Sequence, residues 1–291
     1  MEWVAGLSDE IVIRGGDHMF DDDRLPKQAR WLRQQILEMC VRAGEGRLAS
    51  SLSWVEVAVA LYYGGILRFD PANPQWEERD RFVLSKGQGV VALYPILADL
   101  GFFSKAELDK FCQPAGMLGP YGHDIPGVEA LWGSVGHGLG VAAGLALAAK
   151  MDRKLYMTVV LLGDGECYEG STWEAAMFAG HHELNNLVAV VDRNWLCTID
   201  FTENCLRLNP LDDKWRAFGW DVTTIDGHCF EEIFAAFENF RSRRSNKPLV
   251  VIANTVKGKG LSFLEYNPMA HIIIPSGEQL ERAREELECP L

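Results

Sequence analysis

Three stretches of this chain gather polar side chains immediately after apolar runs. Leu162-Gly163-Asp164-Gly165-Glu166 sets a carboxylate between two glycines. Val191-Asp192-Arg193-Asn194-Trp195-Leu196 offers a neutral carboxamide, and Asn254-Thr255-Val256-Lys257-Gly258-Lys259-Gly260 ends a third run. Asp164, Asn194 and a backbone carbonyl are oxygen donors, the set that a hard divalent cation takes. Mg²⁺ commonly completes its octahedron with phosphate oxygens and water. Gly163 and Gly165 permit tight turning and close backbone approach to a ligand. A helix starting after Gly165 would turn its N-terminus toward an anion. The structural alternatives are Asp164 as a helix cap and Asn194 as a turn residue.

Such groups need strand ends to hold them. Tyr156–Leu162, Leu187–Val191 and Leu249–Ala253 are apolar without alternation, which predicts parallel strands buried on both faces. Arg81–Leu84 reads as a shorter strand. A helix over Trp173–His181 separates the first two long runs, and an amphipathic helix with Phe230, Ile233, Phe234 and Phe237 inward precedes the last. Leu32, Ile36, Leu37 and Cys40 recur at helical spacing up to Gly44 and Gly46. Ser53 fits the N-cap of a helix through Leu61, with Glu56 completing a capping box. Helices are also expected over about 90–100 and 105–112, and the Gly-rich stretch 118–140 reads as a long loop opening an Ala-rich helix. This alternation predicts an α/β fold, a doubly wound parallel sheet flanked by helices, with ligands at the carboxyl ends of the strands. Residues 1–24 read as an N-terminal arm and 25–291 as one domain.

The composition narrows the function. The chain has 291 residues, 41 acidic against 28 basic, a net charge of −13 and 48% hydrophobic residues. That is a globular balance. The acid excess argues against a nucleic-acid or anionic-membrane surface. No signal sequence is visible, and residues 135–149 are too short to span a bilayer. Seven cysteines without a CxxC pair suggest reduced, mostly buried thiols in a cytoplasmic protein, and no zinc site.

Gly163-Asp164-Gly165, followed after a helix by Asn194, looks like the thiamine diphosphate motif. The surrounding blocks resemble the amino-terminal half of transketolases: Arg79 to Gly87, Gly133 to Leu139, Gly163 to Gly170 with Trp173-Glu174-Ala175, Thr255 to Gly260, and His271. The resemblance runs in register from about residue 28 onward. It implies that Asp164, Asn194 and the Leu196 carbonyl hold Mg²⁺ or Ca²⁺. Gly163, Gly165, Glu166 and the segment Gly133-Ser134-Val135 would lie against the cofactor. His271 would sit by the diphosphate and the reacting substrate, and His123 would line the substrate channel. Glu169 matches a carboxylate that links two cofactor sites across a dimer. His181 and His182 read as structural, and His137 carries no catalytic role.

The chain departs from the family at two positions, Arg47 and Gln88, where most relatives have histidines that contact the ketose donor and the cofactor. Arg47 binds carboxylate or phosphate well but is no neutral acid–base group. Gln88 donates to a phosphate oxygen but does not shuttle a proton at neutral pH. Together they suggest an acidic donor. The family's pyrimidine-binding domain, which supplies a glutamate to the cofactor, is not among these 291 residues. The resemblance therefore implies the N-terminal subunit of a split transketolase-like enzyme. A C-terminal transketolase-like subunit would complete it in an α2β2 heterotetramer, moving a ketol or acyl unit from a small-molecule donor to an aldehyde. The alternatives are a subunit that decarboxylates a 2-oxo acid and transfers the acyl group, or a non-catalytic cofactor-binding partner.

Overall fold

The computed structural model describes residues 23–120, 125–131 and 134–288. Most of the expected arm, His123 and Gly133 lie outside the described residues. Helix α1 (Arg24–Ala43) begins inside the segment read as an arm and ends at Gly44, whose φ of 63° stops it in the left-handed conformation. There follow α2 (Leu48–Leu52), α3 (Val55–Tyr62), strand β1 (Arg81–Leu84), α4 (Leu93–Leu100), β2 (Ala130–Leu131), α5 (Gly138–Met151), β3 (Thr158–Gly163), α6 (Gly170–His181) and β4 (Leu187–Arg193). The chain continues through α7 (Thr202–Cys205), α8 (Leu211–Ala217), β5 (Asp221–Asp226), α9 (Phe230–Ser242), β6 (Leu249–Asn254) and α10 (Glu278–Glu288).

The strands form one sheet in the order β2-β1-β3-β4-β6-β5. Every pairing is parallel. The apolar runs have no alternation because helices cover both faces. Val159, Leu161, Val188, Val190 and Val251 pack in one cluster with residues of α1, α3, α4 and α9. Val160, Leu162, Ala189, Val191, Val250 and Ile252 pack in another with α5, α6 and α8. Each valine, leucine or isoleucine among them contributes about 1.5–3 kcal/mol of burial, so a polar residue within these strands would need its own partner.

Several expectations needed correction. The helix predicted from Ser53 to Leu61 is interrupted at Ser53-Trp54 and starts at Val55 with no side-chain cap. The Ser53 hydroxyl instead donates to Asp192 Oδ2 at 2.5 Å, with the Ser50 carbonyl 3.1 Å away as the other acceptor in reach. Glu56 turns to Arg33 and His228 rather than to the backbone. The first turns of the expected helix over 90–100 are a 3₁₀ segment, Gly87–Ala92, and so is Lys105–Lys110. Strand β5 has no counterpart in the sequence pattern: it is an edge strand, with half-exposed residues and no apolar run. Of the six described cysteines all are free thiols, but only Cys40 and Cys167 are buried.

Candidate active site

All the strands run parallel, so their carboxyl ends share one edge of the sheet. From β1 the chain reaches β2 on one side, and β3 lies on the other. That divergence opens a crevice, where open α/β sheets bind ligands. A cavity of about 440 Å³ lies there, lined among others by Gln88, Asp164, Asn194, Leu196, Lys257 and His271. A cavity of about 500 Å³ elsewhere, lined by Arg68, Asp80 and Arg243, contains none of the candidate residues.

A buried ion pair underlies the crevice. Lys86, just after β1, pairs with Asp192 near the end of β4. Lys86 Nζ also donates to the Ser50 carbonyl at 2.9 Å and contacts Ser53 Oγ at 2.8 Å. Thr255, just after β6, bonds the other Asp192 oxygen. Burial acts to raise the Asp192 carboxyl, but the Lys86 ammonium together with the Ser53 and Thr255 hydroxyls outweighs it, and the net direction is down. The network ties three strand ends to the α2–α3 junction.

Asp164 is 2% exposed. Its Oδ1 accepts from Gly165 N at 2.8 Å. Its Oδ2 accepts from Trp195 N at 2.8 Å and from Arg193 Nη1 at 3.2 Å. Arg193 also bonds Thr202 and Glu203, and its guanidinium lies 3.9 Å from the Trp195 ring centroid. Burial pushes the Asp164 carboxyl up to about 6, and Arg193 offsets this only in part. Asn194 Oδ1 accepts from Leu196 N at 3.2 Å. An under-compensated buried carboxylate beside an amide and a carbonyl suits a hard divalent cation. Among the described residues no group of three or more His, Cys, Asp or Glu offers another metal site.

The cavity also suits an anion. Lys257 Nζ donates to the Cys197 carbonyl at 3.1 Å, and burial lowers its ammonium to about 8, with Lys86 adding to the shift. His271 lies on the 3₁₀ turn Pro268–Ile272, with a buried Nδ1 that has no partner among the described residues. Burial, then Lys257, Arg47 and Lys86, lower its imidazole to about 4, so it is neutral at physiological pH. An orphaned ring nitrogen within the electrostatic reach of three cations fits an anionic group such as a diphosphate with its metal.

Other candidates are placed less directly. Glu166 lines the cavity, but both its oxygens are taken. Oε1 accepts from Ser85 Oγ at 2.6 Å and Gly136 N at 2.8 Å, and Oε2 accepts from Gly163 N at 2.8 Å. It braces the loop rather than offering a free carboxylate. Gly163 has an extended backbone, and a Cβ there would make only ordinary contact 3.5 Å from Lys86 Cγ. Gly165 is equally unstrained, 3.7 Å from Cys197 Cβ. Their use is a bare cavity wall, not the tight turning expected. Gly136, in contrast, has a φ of 85°, and a Cβ there would lie 2.6 Å from Glu169 Cβ. Residues 164–168 form a 3₁₀ turn, so the α-helix expected to start after Gly165 begins at Gly170 instead. Val135 lines the cavity, whereas Ser134 and Glu169 are exposed outside its lining. Arg47 precedes α2, partly buried, and is felt electrostatically at His271. Lys86 and Lys257 lie in stretches that the sequence marks without giving either a role, Ser50 carries no signal of its own, and the fold brings all three to the site.

Comparison with known proteins covers the same stretch of chain. A family model described as "Transketolase, thiamine diphosphate binding domain" matches residues 25–287. The 6-deoxy-6-sulfo-D-fructose transketolase subunit of Clostridium sp. (strain MSTE9) is 43% identical over 267 residues, covering 91% of this chain and 96% of its own. An apulose-4-phosphate transketolase subunit of Phocaeicola vulgatus is 40% identical over 268 residues, covering 91% and 94%. The crystal structure of transketolase from Campylobacter jejuni superposes with a TM-score of 0.84 at 31% identity, covering 91% of this chain and 42% of that one. The chain thus spans nearly the whole of the subunit relatives and about two fifths of the crystallised enzyme. Its crevice, its strand-end donors and these matches agree: the chain belongs to the transketolase family and comprises its thiamine diphosphate-binding domain.

Proposed function

We propose that this chain is the thiamine diphosphate-binding subunit of a two-subunit transketolase. The observation that carries the reading is the convergence of Asp164, Asn194, Lys257 and His271 on one cavity at the switch of the sheet. In this reading Asp164, Asn194 and the Leu196 carbonyl hold Mg²⁺ or Ca²⁺. Lys257 and Gln88 hold diphosphate oxygens, and Gly163, Gly165 and Val135 line the cofactor's path. Bound thiamine diphosphate supplies the electron sink that lets a C–C bond beside a carbonyl break and re-form on an aldehyde. His271, neutral and with a free Nδ1, accepts or donates a proton at that atom. Arg47 binds an acidic group of the donor. The relatives named for a sulfo-sugar and a sugar phosphate support an anionic donor.

A second chain completes the site. Support comes from relatives named as subunits, nearly all of whose length this chain covers. The exposed apolar side chains Met177 and Phe178 on α6, and Ile199, Leu206, Met269 and Ile272 around the cavity, are surfaces that a partner would cover. We assign that role to a C-terminal transketolase-like subunit in an α2β2 assembly, in which the exposed Glu169 faces the other half. Free thiols among the described cysteines suit the cytoplasm. No helix among the described residues is long and apolar enough to cross a membrane.

Reconstitution tests the reading. The chain is co-expressed with its candidate second subunit, and binding of thiamine diphosphate with Mg²⁺ is followed by calorimetry. Turnover is then assayed with anionic ketoses and an aldehyde acceptor. Ketol transfer only by the mixture is expected. Carbon dioxide release from a 2-oxo acid without ketol transfer, or no cofactor binding by the mixture, overturns it.

A further inference from the structure

The segment after Asn194 doubles back on itself. Leu196 and Phe201 form an antiparallel bridge. Cys197 N donates to the Asp200 carbonyl at 3.0 Å, and Thr202 N donates to the Trp195 carbonyl at 2.9 Å. The fold-back sets Cys197 beside Cys205 at the end of α7, with the two Sγ atoms 3.4 Å apart. Both thiols lie along the wall of the proposed cofactor cavity, and Cys205 is exposed. Nothing in the proposed reaction uses either. A covalent disulfide needs an S–S distance of about 2.05 Å, so a short local movement closes the pair.

We propose that Cys197 and Cys205 are a modification site, a dithiol that a peroxide converts to a disulfide, and that the disulfide weakens cofactor binding. The reaction balances with hydrogen peroxide alone. The two S–H bonds and the O–O bond break, and one S–S bond forms. The thiols together lose two protons and two electrons, and the peroxide leaves as two waters. Drawing the sulfurs together moves the backbone at Cys197, which takes the Cys197 thiol from the Asp200 carbonyl at 3.1 Å. It also moves the Cys197 carbonyl that accepts from Lys257 and the neighbouring Leu196 carbonyl assigned to the metal. In a reducing compartment such a bridge is transient, formed under oxidant and removed by thiols.

The effect on binding rests on the proposed cofactor site, whereas bridge formation does not. The assembled two-subunit enzyme is titrated with hydrogen peroxide. Intact mass and non-reducing peptide maps of this chain are recorded, and affinity for thiamine diphosphate with Mg²⁺ is measured before and after. The expected result is a chain lighter by two hydrogens, a 197–205 cross-linked peptide, and affinity lower by roughly tenfold or more, all restored by dithiothreitol. Cys205→Ser and Cys197→Ser chains form no such peptide, and the affinity of each does not respond to peroxide. Absence of the 197–205 peptide in wild type overturns the inference, as does a bridge that leaves affinity unchanged. Failure of the reduced enzyme to bind cofactor at all overturns the functional reading instead, and the mass measurement still reports the bridge.

Discussion

His228 Nδ1 lies 2.8 Å from Glu56 Oε2, while its Nε2 accepts from Val256 N at 2.9 Å. These partners define the tautomer: a ring nitrogen that accepts from a backbone N–H carries no proton, so Nδ1 carries it and donates to Glu56. The imidazole thereby fastens the Val256-Lys257 turn to α3, next to Arg33, which also pairs with Glu56. His228→Ala is expected to leave Glu56 with one partner fewer and Val256 N without one. A loss of about 1–3 kcal/mol in urea unfolding follows, with weaker diphosphate affinity because the Lys257 turn loses its anchor. His228→Asn, which restores a side-chain acceptor, is expected to recover part of the affinity. Equal affinity in His228→Ala and wild type would show that the turn is held without it.

Glu56 also predicts an acid dependence. Burial acts to raise its carboxyl, but Arg33 and His228 outweigh it and hold it at about 2. The unfolded value is about 4.3. The folded value is the lower one, so the stabilisation is complete above the unfolded value and is lost as pH falls toward the folded one. Urea midpoints measured from about pH 6 to pH 3 are expected to fall, and to fall less in Glu56→Gln. Parallel curves would contradict the assignment.

Lys86→Met removes one partner of a pair in which both side chains are buried, and strands the Asp192 charge. The expected cost is about 3–5 kcal/mol, read from chemical denaturation. Adding Asp192→Leu is expected to recover part of it. Additive losses in the double variant would mean the two do not interact.

Asp164→Asn is expected to leave the melting temperature of the cofactor-free chain close to wild type, since Thr202 and Glu203 still hold Arg193. Affinity for thiamine diphosphate with Mg²⁺ is expected to fall by more than about tenfold. Calorimetry on the assembled enzyme decides this, and wild-type affinity in the variant removes Asp164 from the metal site.

Arg47→Ala is expected to raise KM for an anionic donor roughly tenfold to a hundredfold, the loss of a charge-assisted contact. The effect on kcat is expected to be small. An uncharged ketose of the same length is expected to show no such change. Equal effects on both donors would place Arg47 in the fold and not in recognition.

The four buried strands β1, β3, β4 and β6 and the polar residues at their ends are readable in the sequence because each is local. An unalternating run such as Leu187–Val191 implies burial on both faces wherever it pairs, and Asp164 and Asn194 follow their strands directly, whereas Leu196 enters only through the family resemblance. Their convergence requires only that the strands be parallel. Other features depend on partners far away in the chain. Ser53 has the right neighbours for a helix cap, yet its hydroxyl goes to Asp192, 139 positions on, because a buried carboxylate needs donors and only the packed fold brings the two together. Glu166 looks like a ligand group in its own loop, but Ser85 and Gly136 occupy it once β1 and the loop before α5 arrive. Cys197 and Cys205 are separated by a segment with no periodic signal, and only its fold-back makes them neighbours. Local pattern determines which backbone forms and which residues end it. Competition among distant buried polar groups for each other's hydrogen bonds is settled only when the chain has packed.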